Sequence, residues 1–205
     1  MTSDQQRSHW DTKYEQGLPS LEKPDPFFLS AFNDFAADRF SYGGSAFDLA
    51  GGIGRHSLWL ARRNWRVTVV DISEVAIRQL EDKACRLGVS LELFAIDAND
   101  YRFETNRFDL IVMFYHFDRD ICPRLLSSLK SGGILICKSR VSWNTYEGSA
   151  PARIQPLGRK EILSLLPGVE VLHYEERQVG DRGVVEYVGK KNAPNVLLNE
   201  SAIGQ

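Results

Sequence analysis

Between Phe47 and Ser73 the chain reads FDLAGGIGRHSLWLARRNWRVTVVDIS, and no other stretch limits the fold as strongly. A short apolar run, Ala46 to Leu49, enters Gly51-Gly52-Ile53-Gly54 without a spacer, and a helical stretch from Gly54 to Asn64 follows at once. A second apolar run, Arg66 to Val70, then closes on Asp71. Strand, tight turn, helix and strand make a β-α-β unit, which belongs to a parallel sheet covered by helices. Glycine serves such a turn because the chain bends sharply and a ligand must approach the backbone without meeting a Cβ. The helix N-terminus behind it offers unpaired N–H groups that suit an anion, either a carboxylate or a pyrophosphate.

The alternation continues downstream. Ser73 to Leu87 reads as a helix with Ser73 as N-cap, and Leu91 to Ile96, Leu110 to Tyr115 and Ile134 to Lys138 read as strands. A helix from Ile121 to Lys130 precedes the last of these, and another spans Arg159 to Leu166. Two further β-like runs, Val169 to Arg177 and Gly183 to Lys191, are joined by VGDRG, too short a link for a crossover helix. They read as an antiparallel hairpin, giving seven strands in a mainly parallel sheet. Upstream, residues 3 to 16 form a polar helix with Trp10 and Tyr14 on one face. A stiff connector with Pro19, Pro24 and Pro26 leads to a helix over Pro26 to Phe40, where Phe28, Phe32 and Phe35 recur at helical spacing.

The chain's 205 residues suit one domain, with residues 192–205 a frayed tail. A net charge of -2 offers no bulk attraction for nucleic acid or an anionic membrane. Three widely spaced cysteines, Cys85, Cys122 and Cys137, lack the C-x-x-C pairs of zinc or redox sites, so no metal is expected. The polar N-terminus lacks a signal-peptide core and no long apolar run appears, which makes a cytoplasmic location the default.

Acids at strand ends narrow the ligand. Asp71 stands about 20 residues beyond the turn, where a carboxylate accepts hydrogen bonds from ribose hydroxyls. Helping the next helix at its N-terminus is its alternative role. Asp97 closes the following strand, placed for an exocyclic amino group on a base, or else it is a solvated loop acid. Asp48, within the first strand, is either part of the same site or a strand-end acid satisfied by its neighbours. A dinucleotide-binding dehydrogenase prefers G-x-G-x-x-G, and Ser57 occupies the third glycine's place.

Asp48-Leu49-Ala50-Gly51-Gly52-Ile53-Gly54 resembles the D-x-G-x-G-x-G motif of the class I S-adenosylmethionine-dependent methyltransferases, with Ala50 in place of the first glycine. That change adds only a methyl, tolerable where the local backbone is extended. FDLIVMFYHFDRD looks like the family's fourth-strand motif, LLSSLKSGGILICKS like the helix, Gly-Gly turn and fifth strand, and the closing hairpin like its reversed last strands. HWDTKY, GLPSLEKPDPFF and GIGRHSLWLA look most like small bacterial enzymes of the tellurite-resistance and thiopurine methyltransferase type.

The resemblance implies an α/β fold of three Rossmann-like layers, a seven-stranded mainly parallel sheet with helices on both faces and a C-terminal antiparallel hairpin. It implies one methyltransferase domain over residues 1–191, in which residues 43–191 are the α/β core and 1–42 a helical lid segment. The implied cofactor is S-adenosyl-L-methionine, leaving as S-adenosyl-L-homocysteine. Its contacts fall on Asp48, Ala50, Gly51, Gly52, Gly54, Arg55, Asp71, Ile72, Asp97, Ala98 and Met113. Trp10 and Tyr14 are implied as further cofactor contacts, in a lid helix folded over the cofactor, with an aromatic packing pair as the alternative.

Methyl transfer from a sulfonium is an in-line displacement in which the protein mainly orients the reactants and excludes water. A thiolate or a chalcogen oxyanion needs no base; an amine or hydroxyl more often does. His116 is the best general-base candidate, with Tyr115 beside it, because an unperturbed imidazole titrates near neutrality. Tyr115, His116, Arg140 and Trp143 are the candidate substrate contacts, in a region that also carries Tyr146 and Arg153. His56 is read as supporting the glycine turn. The Asn-Pro-Pro-Tyr-type sequence linked to amino-group methylation of bases is absent, and no basic stripe points to nucleic acid. A small-molecule acceptor and a monomer or homodimer are therefore expected. A protein or RNA methyltransferase, a cofactor-binding protein without catalysis and an NAD-dependent oxidoreductase remain the alternatives.

Overall fold

Side chains alternate across the central strands, and this alternation builds the protein in three layers. The computed structural model describes residues 2–17, 22–142, 152–179 and 182–193. Seven strands form one sheet: β1 (Ser45–Leu49), β2 (Arg66–Asp71), β3 (Glu92–Ala95), β4 (Phe108–Phe114), β5 (Leu129–Val141), β6 (Val169–Val179) and β7 (Arg182–Lys191). Their order is β3-β2-β1-β4-β5-β7-β6. The first five run parallel, while β7 lies antiparallel between β5 and β6. The expected hairpin is therefore present.

Phe47, Leu49, Ile111 and Met113 point into one core, where they meet Leu125 of α5 (Cys122–Ser128) and Ile162 of α6 (Glu161–Leu165). Ala46, Leu110 and Val112 point to the other face and meet three helices. These are α2 (Pro26–Phe35) through Phe28 and Phe32, α3 (Arg55–Ala61) through Leu60, and α4 (Glu74–Leu87) through Ile77 and Leu80. The remaining helix, α1 (Ser3–Glu15), is polar and starts with a capping box in which Thr2 and Gln5 bond each other's backbone. No helix among the described residues is long and apolar enough to cross a membrane.

Several boundaries differ from the sequence expectation. α2 stops at Phe35 rather than Phe40, its Ala36 cap leaving helical geometry at φ -121°. Strand β5 begins at Leu129, inside the span read as helix, and skips register against β4 between Leu129 and Ile134. Gly132 takes φ +74° in this irregular stretch. The chain steps from β1 outward through β2 to β3, then returns to β4 and β5 on the other side of β1. This reversal opens a crevice at the carboxyl ends of β1 and β4, the place where ligands bind in open α/β sheets.

Candidate active site

The turn leaving β1 is tighter than an extended backbone allows. Ala50 takes φ +52° and donates its N–H to the Val70 carbonyl at 2.8 Å. The expectation that alanine is tolerated on extended backbone is thus corrected: this is the left-handed region, where an L-residue is strained. Gly52 and Gly54 also have positive φ. A Cβ on Gly52 meets the Tyr14 hydroxyl at 2.4 Å, and one on Gly54 meets Leu80 at 2.2 Å. At both positions the absent side chain makes room for the protein itself.

Two buried acids fasten this turn. Asp48 accepts a 2.5 Å hydrogen bond from the Ser57 hydroxyl, so Ser57 serves the strand-end acid. Burial pushes the Asp48 pKa up to about 7, while the Ser57 hydrogen bond and Arg55 pull it down. Asp71 accepts the Gly52 N–H at 2.8 Å and the Ser73 N–H at 2.9 Å, tying the turn to the end of β2. Its pKa is raised to about 6 by burial, against those two backbone hydrogen bonds. A carboxylate has about four lone-pair sites. Asp71 therefore keeps acceptor capacity toward the crevice, and Ser73 itself caps α4 through the Ala76 N–H.

At the end of β3, Asp97 accepts from the Ser3 hydroxyl at 2.6 Å and from the amide and side chain of Asn99. Burial alone raises its pKa, but these hydrogen bonds and the nearby Arg153 charge outweigh it and hold the carboxyl below its ordinary value. Beyond β4, Tyr115 has φ +61° and is exposed, and His116 follows it, half-buried. Burial lowers the His116 pKa against the pull of Asp118 and Asp97, which leaves the imidazole neutral and able to accept a proton. Asp118 is fully buried and takes hydrogen bonds from Arg153, Asn99 and the Asp120 N–H.

His56 borders the cavity but is only 3% exposed. Its Nε2 accepts the Asp25 N–H at 3.3 Å, and its ring lies between Phe28 and Phe114 at 4.6 and 4.3 Å. Burial, with help from Arg55 and Lys138, holds its pKa well below the ordinary value. It locks the start of α2 to the turn.

A cavity of about 210 Å³ gathers most of these groups. Trp10, Tyr14, Asp48, Ala50, Gly51, Gly52, Arg55, Asp71, Ile72, Asp97, Ala98, Tyr115 and His116 all line it. Gly54 and Met113 do not; Gly54 caps α3 against Leu80, and Met113 is wholly buried in the core. Arg140 is exposed on β5 opposite Val184, also away from the cavity. Trp143, Tyr146, Pro19, Gly180-Asp181 and residues 194–205 lie outside the described residues.

Among the wall residues that the sequence reading did not count as site members are Gln6, Ile53, His56, Phe114 and Arg153. Arg153 stood out only as one polar group of a loop. Over the cavity, α1 is held by polar contacts: Ser3 on Asp97, Arg7 on Glu74 at 2.7 Å, and Asp11 accepting from the Ser73 hydroxyl at 2.6 Å. Tyr14 of this helix is buried, with its ring 6.0 Å from that of the half-exposed Trp10.

Residues 46–133 match the family model described as a methyltransferase domain. Among solved structures, TehB from Haemophilus influenzae superposes with a TM-score of 0.69 at 18% identity, over 91% of this chain and 67% of that one. The 1,6-didemethyltoxoflavin-N1-methyltransferase of Burkholderia thailandensis, solved with 1,6-didemethyltoxoflavin and S-adenosylhomocysteine, gives 0.64 at 16% identity, over 91% and 87% of the two chains. Geranyl diphosphate C-methyltransferase from Streptomyces coelicolor A3(2) gives 0.63 at 16% identity, covering 80% of each chain. No curated protein matches the sequence.

Proposed function

We propose that the chain, whose residues 46–133 match the model of a methyltransferase domain, transfers the methyl group of S-adenosylmethionine to a small-molecule acceptor. One observation carries this reading: a single cavity at the sheet's switch point brings together the glycine turn, the acids ending β2 and β3, and Tyr115-His116 beyond β4.

The donor set fits the cofactor. Asp71 retains acceptor sites for ribose hydroxyls, Asp97 and Ala98 border the base end, and Gly51, Gly52 and Arg55 border the amino-acid end. When bound, the cofactor supplies an electrophilic methyl on sulfur. The chain's own residues hold the acceptor in line and exclude water. Tyr115, His116 and Arg153 form the acceptor side of the cavity in this reading. A thiolate or chalcogen oxyanion reacts there without a base. For an amine or hydroxyl acceptor, the neutral His116 takes the proton. Arg140 and Trp143 remain candidate acceptor contacts only if the acceptor extends beyond the cavity.

The N-terminal segment acts as a lid. A volume of about 210 Å³ is below the roughly 300–1,000 Å³ of ligand pockets, which supports a reading in which α1 lifts to admit a nucleoside-sized molecule. The ion pair of α1 with Glu74 is exposed and one that water replaces at little cost.

Isothermal titration with S-adenosylmethionine, S-adenosylhomocysteine and NAD tests the cofactor. Binding of NAD alone would overturn the reading. Asp71→Ala is expected to weaken S-adenosylhomocysteine binding by more than about tenfold, a loss of at least about 1.4 kcal/mol; unchanged affinity would remove Asp71 from the site. Asp71→Asn, which keeps the side chain's shape and one of its two backbone hydrogen bonds, is measured beside it with thermal unfolding, so that loss of the turn is recognised. Product detection across thiols, selenite, tellurite, amines and phenols identifies the acceptor. Cofactor binding without methylation of any of them favours the non-catalytic alternative.

A further inference from the structure

On the opposite side of the His56 and Phe114 wall, β6 and β7 carry a second constellation that no cysteine or histidine spacing announces. Glu175 of β6 pairs directly with Glu186 of β7, so both side chains leave the same face of the sheet. His173, two residues before Glu175, leaves that face as well. One imidazole nitrogen and two carboxylate oxygens from these residues lie within 4.8 Å of one another. The Nε2 atom of His173 is buried and has no hydrogen-bond partner among the described residues, so water or a bound ion must complete it. The His173 ring is held in place by Phe27, at 5.5 Å between centroids.

Charge favours a cation there. Around this cavity stand Asp25, Asp34, Glu175 and Glu186 against Lys138 and Arg177, four acids to two bases. Lys138 is engaged by both oxygens of Asp25, at 3.0 and 3.1 Å, as well as by Glu186 at 2.9 Å. Arg177 holds Glu186 at 2.7 Å from an exposed position, and so can swing into solvent when a dication arrives.

The geometry points to a divalent transition-metal site formed by His173, Glu175 and Glu186, with water completing the shell. One imidazole and two carboxylates suit Zn²⁺ and its neighbours rather than the all-oxygen shells of Ca²⁺ and Mg²⁺. Such an ion ties β6 to β7 beside α2 and shares no wall residue with the methyl-transfer cavity. The assignment stands independently of the cofactor reading.

The test uses the full chain, treated with chelator, in a Cys85→Ser background so that the exposed thiol does not compete. Zn²⁺ is titrated against a chromophoric chelator, and Co²⁺ uptake is followed by its visible absorption. Binding of one ion per chain and a thermal midpoint that rises with Zn²⁺ concentration are expected. His173→Gln and Glu175→Gln should each weaken Zn²⁺ binding by at least about tenfold while leaving the metal-free midpoint in place; His9→Gln, at an exposed site on α1, should bind like the parent. Absence of Zn²⁺ binding at micromolar concentrations, or parental affinity in both His173→Gln and Glu175→Gln, would overturn the site.

Discussion

Replacing Asp48 by asparagine should stabilise the metal- and cofactor-free protein at alkaline pH. Asp48 is 1% exposed, and burial moves its pKa from 3.8 to about 7, with Asp71 adding to the rise and Ser57 and Arg55 opposing it. Three units at about 1.4 kcal/mol each set a ceiling of about 4 kcal/mol on the cost of ionising this carboxyl inside the fold. The sign follows from proton uptake. Between the two pKa values the native chain holds the Asp48 proton and the unfolded chain does not, so this group's contribution to stability falls as pH rises from about 4 to about 7. Asp71, raised from 3.8 to about 6, adds a smaller slope of the same sign. Asparagine has the size of the protonated acid and still accepts the Ser57 hydroxyl through its amide oxygen. Urea unfolding followed by circular dichroism at about pH 4 and about pH 8 measures the difference. Asp48→Asn should match the wild type within about 1 kcal/mol at the lower pH and exceed it by about 2–4 kcal/mol at the higher. If the stability difference between the two proteins were the same at both pH values, the burial argument for Asp48 would be refuted.

Ala50→Gly should raise stability by about 1 kcal/mol, because relief of left-handed strain at φ +52° exceeds glycine's entropy cost. Calorimetry should show a midpoint higher by about 2–4 °C for a chain of this size, and a lower midpoint would count against the strain. Lys138→Met should cost about 3 kcal/mol in urea unfolding at neutral pH, since it leaves Asp25 and Glu186 buried without their ammonium partner. Adding Asp25→Asn, which keeps an N-cap acceptor on α2, should recover part of that loss; strict additivity would argue against the pair. His116→Asn should lower kcat by about 10²-fold or more for an amine or hydroxyl acceptor and leave a thiol acceptor within about threefold. Equal losses for both acceptor types would assign His116 to positioning rather than proton transfer.

Where the sequence was legible, the signal was apolar and periodic. Phe47 and Leu49 alternate with Ala46, and Ile111 and Met113 with Leu110 and Val112; each set feeds one of two cores, which is why the layers and the strand count could be read. The parts that stayed hidden are polar or distant. α1 is fastened by Ser3, Arg7 and Asp11, residues with no apolar stripe to mark the buried side, so its position over the cavity left no periodic trace. Arg153 reaches Asp118, 35 residues earlier in the chain, through tertiary folding alone. The φ of Ala50 depends on where β2 lies, because its N–H must find the Val70 carbonyl.

The same contacts change what the glycine turn says about function. Ser57 is absorbed by Asp48, Gly52 by Tyr14 and the Asp71 carboxylate, and Gly54 by Leu80. Every element of the motif is therefore already occupied in holding the turn, before any ligand is considered. A D-x-G-x-G-x-G pattern, met in a sequence, then reports first that this turn is built, and only through the turn that a cofactor can sit on it. The two contributions separate at Asp71, which both fastens Gly52 and faces the cavity. Asparagine there can keep one backbone hydrogen bond through its amide oxygen but loses acceptor sites, so its effect on cofactor affinity, set against its effect on stability, measures how much of the motif serves the ligand and how much the fold.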